Sequence, residues 1–175
     1  MFEFLLVRVS VWLACVAWFA GAFCRLLSAR PGKASTALPT RPRAVEAAYG
    51  WLWLVGSLLL CIHIAASYGF VHQWSHRDAI EVTARESFRV TGIRAGWGVY
   101  VNFLFAMSWL CYSIALVTTG RREKVIDRTL YVFLATILGC ATVVFEAGVI
   151  RYIALAAFIA LVVLHVRAKS ASAPV

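Results

Sequence analysis

Charged residues are scarce in this sequence, and the patterns of common catalytic sites are absent. Charged side chains make up 14% of the 175 residues, whereas soluble domains carry about 25%. The sequence has no Gly-x-Ser-x-Gly nucleophile motif, His-Glu-x-x-His zinc motif, phosphate-binding loop or dinucleotide-binding glycine pattern. Its five cysteines lie in apolar stretches without a Cys-x-x-Cys pair, so no disulfide framework is predicted. These absences leave an enzymatic role undecided and favour a non-enzymatic one.

Long apolar runs are abundant instead. Hydrophobic residues make up 62% of the chain, against roughly 45–50% in soluble domains. A soluble domain of this length could not bury so much apolar surface, so the lipid bilayer is the expected solvent and partner. We predict an all-α membrane helix bundle that forms one domain, 1–175, with transmembrane segments at about 5–27, 47–70, 97–119, 129–148 and 151–168.

The number of spans depends on the apolar stretch at about 129–167. As a single helix with a rise of 1.5 Å per residue it would reach roughly 60 Å, about twice the hydrocarbon thickness. Glu146, Gly148 and Arg151 interrupt it. We therefore predict two helices joined by a tight hairpin, and five spans in total. A four-span fold with a re-entrant segment is the alternative.

The linker before the third span predicts a short amphipathic helix at about 76–91. Ser75 and Asp78 have the spacing of a helix-capping pair, and Gly92 suits the C-terminal end. Ile80, Ala84 and Phe88 repeat every four residues and define an apolar face. We expect this helix to lie at the membrane surface or against the bundle.

Basic residues predict the orientation. The net charge is +9, and five spans place eleven of the 17 lysines and arginines, including every lysine, on the side of the first and third loops and the C-terminus. Loops rich in Lys and Arg face the cytoplasm. The sequence thus predicts a bacterial inner-membrane protein with its N-terminus outside. Because the basic residues flank apolar spans, they indicate anionic lipid rather than nucleic acid as the partner.

Polar residues collect at the predicted outer end and define a candidate cluster: His72, Trp74, His76, Asn102, Glu146 and Arg151. These residues are interpreted as interfacial side chains, with Glu146 and Arg151 forming a salt bridge across the hairpin. A second hypothesis is a metal site with His72 and His76 as ligands and Glu81 as the third, or Asp78 or Glu146 in its place.

A third hypothesis is a b-type haem ligated by His63, because an imidazole in the hydrocarbon region needs a reason to be there. His165, near the other end of the last span, lies at the wrong depth to pair with it. In a straight helix His63 lies opposite His72, which excludes a metal shared by these two.

Three motifs carry a resemblance to a known family. They are His72-Gln-Trp-Ser-His76, Gly96-Trp-Gly-Val-Tyr-Val-Asn102, and Thr142-Val-Val-Phe145 with Gly148 and Arg151. Over about residues 60–155 the chain resembles a family of small multi-pass membrane proteins from planctomycete-type bacteria, whose members often have histidine where this chain has Gln73. The family has no established activity, and the resemblance implies only that its signature residues lie in the outer cluster.

The functional hypothesis from the sequence is an accessory or redox-associated membrane subunit whose outer cluster binds a metal, a lipid headgroup or a partner subunit. One alternative is a metal-dependent enzyme at the outer leaflet, with Glu81 or Glu146 as acid or base. The other is a haem b subunit that uses His63.

Overall fold

A computed structural model of the chain describes residues 2–28, 40–146 and 148–170. Within these ranges the chain forms six helices and no strands, which confirms the all-α class. The helices are α1 (Phe2–Ser28), α2 (Thr40–Ala66), α3 (His76–Thr91), α4 (Gly98–Thr119), α5 (Lys124–Gly139) and α6 (Val149–Ser170). The segment between the first two predicted spans falls largely outside the described residues.

Five of the described helical segments are long and apolar enough to cross a membrane. They run over Glu3–Ser28, Ala44–Val71, Gly98–Thr119, Lys124–Val144 and Val149–Arg167, so the five-span prediction is confirmed over the four-span alternative. The fourth span begins earlier than the predicted 129, at Lys124, and this places Asp127 inside a helix. The last two spans separate at the predicted break, where Gly148 has a φ of 72°.

Tryptophan rings that enter gaps left by glycine pack the centre of the bundle. Helices α1 and α2 form the most extensive pair, and α4 packs on α2. A Cβ on Gly21 of α1 would lie 2.7 Å from the Trp53 indole nitrogen, and a Cβ on Gly56 of α2 would lie 2.7 Å from the Trp109 ring. Small residues that admit a neighbour's side chain are typical of membrane helix interfaces.

Two of the spans end in a wide π-helical turn. The turn Ser67–Val71 follows α2, and Cys140–Val144 follows α5. The amide of His72 donates to the carbonyl of Ser67 over 3.1 Å, which is the spacing of a π-turn. Each such turn adds about one residue, equivalent to about 100° of helical rotation. The rotation brings His72 toward the side of His63, so the straight-helix expectation that separated them was wrong.

Helix α3 folds back against the start of α4. Gln73 and Trp74 adopt positive φ angles and reverse the chain, and the Ser75 hydroxyl then accepts a hydrogen bond from the Asp78 amide. The predicted helix and its Ser75 cap are confirmed, but its buried face differs. Ala79, Ala84 and Ser87 are buried, whereas Phe88 is exposed.

Glycine in the following loop explains this difference. A Cβ on Gly96 would lie 2.8 Å from the Ile80 side chain, and one on Gly98 would lie 3.2 Å from Thr83. Because Gly96 and Gly98 have no Cβ, the loop and the start of α4 can lie directly against the side of α3 that carries Ile80, Thr83 and Ala84. Below, the end of the bundle that carries α3 is called the α3 end, and the opposite end is called the Asp127 end.

Candidate functional site

Two adjacent cavities lie at the α3 end of the bundle. The smaller, about 160 Å³, has polar lining residues that include Ser67, Tyr68 and His72. The larger, about 260 Å³, reaches toward the bundle centre and is mostly apolar. His63, Ile64 and Asn102 line both cavities. The arrangement is amphiphilic, with polar groups nearer the helix ends and apolar groups deeper in the bundle.

His72 is held in one orientation by an acidic residue of α3. Its Nδ1 lies 2.8 Å from Asp78 Oδ2. A carboxylate accepts hydrogen bonds, so we assign the Nδ1 proton to this contact, which leaves Nε2 as the ring nitrogen for a further partner. The imidazole is largely buried, whereas the Asp78 side chain is 45% exposed.

His63 is fixed in the same tautomer by the backbone of α1. Its Nδ1 donates to the Val7 carbonyl oxygen over 2.8 Å, because a carbonyl oxygen can only accept. In the neutral ring Nε2 is therefore an acceptor. Two histidines that each retain an acceptor nitrogen thus line the same small cavity.

His76 has a different environment from His72. Its Nδ1 lies 3.0 Å from the Tyr68 hydroxyl and its Nε2 lies 3.1 Å from the Tyr100 hydroxyl, so both ring nitrogens are used in this network. His76 is exposed and does not line either cavity. Trp74, which is 72% exposed, also lies outside the cavities.

The predicted metal ligands do not converge. Glu81 forms a 2.6 Å ion pair with Arg94 on the surface of α3 and its loop. Among the described residues, no group of three His, Cys, Asp or Glu side chains is arranged to hold a metal ion. The triad of His72, His76 and Glu81 is therefore not assembled, because His76 and Glu81 each engage other partners. The haem prediction for His63 stays a prediction.

Asn102, Glu146 and Arg151 are divided between the cavity and the hairpin. Asn102 lines both cavities, and Glu146 lines the larger one together with Cys15. The Arg151 Nε donates to the Glu146 carbonyl oxygen over 2.9 Å, and its Nη2 donates to that of Val144 over 3.4 Å. Arg151 thus caps the carbonyl end of the fourth span. No ion pair between the side chains of Glu146 and Arg151 occurs within the described part of the chain.

A second polar cluster, at the Asp127 end, was not identified from the sequence. Asp127 is 1% exposed, and its carboxylate accepts from Arg25, Arg122, Tyr49 and Tyr112 at 2.8–2.9 Å. These partners come from α1, α2, α4 and the loop before α5. We call these five residues the Asp127 clamp.

Electrostatics hold the clamp together. Burial alone would lower the pKa of the Arg122 guanidinium, but the hydrogen bond and the charge of Asp127 outweigh burial and raise that pKa. The ring of Tyr131 also lies 4.2 Å from the Arg25 guanidinium carbon, within the range of a cation–π contact. The Asp127 carboxylate and the Tyr49 and Tyr112 hydroxyls are paired with one another inside the bundle, so the clamp has the properties of a structural element. Each arginine retains further N–H groups beyond its contact with Asp127.

No family model, curated protein or solved structure matches the chain. The resemblance to the planctomycete-type family therefore stays a prediction.

Proposed function

We propose that the protein is a redox-associated accessory subunit of the membrane that binds the ring headgroup of an isoprenoid quinone or quinol at the α3 end. The single observation that carries this proposal is the pair of adjacent cavities that share His63 and Asn102. A quinone has a ring with oxygen atoms on opposite edges and an apolar tail. Such a molecule matches a small polar chamber that adjoins an apolar one within a membrane bundle.

The hydrogen-bonding groups suit both redox forms of this ligand. The Nε2 atoms of His63 and His72 are acceptors for the hydroxyl groups of a quinol, since both Nδ1 atoms donate elsewhere. The Asn102 amide supplies donors for the carbonyl groups of a quinone. The aromatic rings of Trp12, Phe105 and Trp109 supply flat apolar contacts in the larger cavity.

Cavity size supports a single ring. Volumes of about 260 and 160 Å³ lie together at the low end of the roughly 300–1,000 Å³ of small-molecule sites. This space suits one substituted ring better than a four-pyrrole macrocycle. The basic residues of the opposite end support an outer-leaflet position for the site, because they favour the cytoplasmic side.

Fluorescence titration tests the proposal, because Trp12 and Trp109 line the larger cavity and quinones quench indole emission. The purified full-length protein in neutral detergent is titrated with a short-tailed benzoquinone or naphthoquinone analogue. We expect saturable quenching, and a weakening of about three- to tenfold in Asn102→Leu and in His72→Gln, since one hydrogen bond contributes about 0.5–1.5 kcal/mol.

The matched control is His76→Gln, which removes a neighbouring histidine outside the cavities. This variant should keep the affinity of the unaltered protein. Linear, unsaturable quenching, or equal weakening by His76→Gln and His72→Gln, would contradict a site at these cavities.

The same preparation distinguishes the alternatives. A Soret band in the visible spectrum that is lost in His63→Ala would replace the quinone proposal with haem binding. Stoichiometric zinc, copper or iron that is lost in His72→Ala would replace it with a metal site, and with the possibility of a metal-dependent enzyme.

A further inference from the structure

A groove at the Asp127 end combines a basic rim with an apolar floor. It has a volume of about 500 Å³ and lies between α1, α5 and α6. Arg25, Arg128 and His165 form its rim, and Phe158, Leu161 and Val162 contribute to its floor. We call these six residues the basic groove. It is independent of the cavities at the α3 end and of the quinone proposal.

The depth of these residues matches the layers of a bilayer. Arg25 lies near the end of the first span, Arg128 near the start of the fourth and His165 near the end of the fifth, so the rim is at the level of lipid headgroups. Phe158 lies seven positions before His165 in the same helix, which places it about 10 Å deeper. The groove therefore changes from basic to apolar in the direction in which a phospholipid changes from headgroup to acyl chain.

The charge at the rim favours an anion. The residues that line the groove include two arginines and a histidine and no acidic side chain. The nearby Asp127 is buried and contacts both Arg25 and Arg122, so one carboxylate faces two guanidinium groups. Positive charge remains in excess beside the groove.

Loose helix packing gives room for a lipid chain. Helices α5 and α6 contact each other sparsely, and α1 contacts α6 along only a short stretch. The Val162 side chain, on the floor of the groove, is exposed. Basic pockets between transmembrane helices on the cytoplasmic side are recognised sites for anionic lipid headgroups.

We infer that the basic groove binds one anionic phospholipid, with the phosphate at Arg25, Arg128 and His165 and an acyl chain along Phe158, Leu161 and Val162. The occupant is a lipid of the surrounding membrane rather than a free phosphate ion, because the apolar floor continues the site beyond the charged rim.

Native mass spectrometry of the full-length protein in neutral detergent tests this inference. Phosphatidylglycerol and phosphatidylethanolamine are titrated separately. We expect one phosphatidylglycerol to bind with clear preference, and Arg128→Gln to weaken it about fivefold, which is the contribution of about one basic residue near a membrane surface. Arg121→Gln, which removes an exposed arginine at the same end outside the groove, should leave the affinity unchanged.

A second pair of variants tests the apolar floor without changing the charge. Val162→Trp fills the groove and should abolish the bound lipid, whereas Val163→Trp at the adjacent exposed position should not. Equal loss in Arg121→Gln and Arg128→Gln, or no preference for phosphatidylglycerol, overturns the inference. Displacement of the lipid by millimolar inorganic phosphate, or a protein dimer that Val162→Trp dissociates, would assign the groove to another occupant and also overturns it.

Discussion

At the Asp127 end, one buried carboxylate is surrounded by two arginines and two tyrosines, and each of these groups has its partner inside the clamp. At the α3 end, His63 and His72 each use one ring nitrogen for a structural contact, which leaves the other available beside a cavity. The Asp127 clamp therefore contributes to stability, and the two histidines at the α3 end are available for binding. A buried carboxylate whose partners come from several helices fixes those helices, whereas a ring nitrogen that is left available beside a cavity can bind a ligand.

The two ends also differ in the geometry with which their helices finish. The spans that lead to the α3 end finish in π-turns, and such turns are frequent at functional sites. At the Asp127 end, α4 finishes at Gly120 in the left-handed conformation with a hydrogen bond back to Leu116, which is a common helix ending. Three of four predictions compare the two ends, and one tests the helix packing between them.

The largest effect is expected for labelling from the two sides of the membrane. In a background without native cysteines, Trp74→Cys at the α3 end should react completely with an impermeant maleimide added to intact cells. Arg121→Cys at the Asp127 end should react only after the membrane is opened. The reverse pattern would overturn the outward orientation of the α3 end, and labelling of both from outside would overturn the separation of the ends.

The number of spans could be predicted from the sequence because it depends on averages over many residues, whereas the orientation stays a prediction. The Ser75 cap could also be predicted, because Ser75 and Asp78 are three residues apart in the chain. The Asp127 clamp could not, since Arg25 is 102 positions from Asp127 and only folding brings them together. The nearest signal was an acidic residue beside an apolar stretch, which the expected start at about 129 left outside the helix.

Only part of the α3 end could be predicted, because folding also decides which of its residues come together. Its polar residues could be named, but a straight helix from His63 to His72 was assumed. The π-turn is a tertiary outcome that no residue pattern indicated. It brings His63 and His72 to one cavity, together with Tyr68, which was not singled out. His76, in contrast, belongs to a surface network with Tyr68 and Tyr100.

The next largest effect is expected from Asp127→Asn. This change leaves two partly buried arginines without their carboxylate, and breaking a buried ion pair in this way costs about 3–5 kcal/mol. The counterpart at the open end is Asp78→Asn, where the carboxyl is 45% exposed and the expected cost is below about 1 kcal/mol. Unfolding by a denaturing detergent measures both, and similar losses would show that the clamp is not the stronger structural element.

A smaller loss is expected from Gly21→Ala. The new Cβ would lie 2.7 Å from the Trp53 indole nitrogen, and Trp53 is fully buried, so the ring has little space to move. Overpacking of this kind costs about 1–3 kcal/mol. Gly139→Ala is the control, because its Cβ would lie 3.7 Å from Phe158, an ordinary contact. The free energy of unfolding of both variants is measured as above, and a neutral Gly21→Ala would contradict the close packing of α1 on α2.

The smallest effect is expected from Tyr100→Phe, and its comparison with Tyr112→Phe, which removes the same hydroxyl group, contrasts the two ends most directly. Tyr112→Phe deletes a buried hydrogen bond of 2.9 Å to Asp127, and hydrogen bonds to charged groups contribute about 1.5–3 kcal/mol. Tyr100→Phe deletes an exposed hydrogen bond of 3.1 Å to His76. Water can replace that partner, so its loss should cost less than about 0.5 kcal/mol. Because both changes remove the same atom, the ratio of the two losses measures how differently the ends are solvated. Equal losses would mean that the α3 end is as closed to water as the clamp, and the cavities there could not then admit a ligand without prior opening.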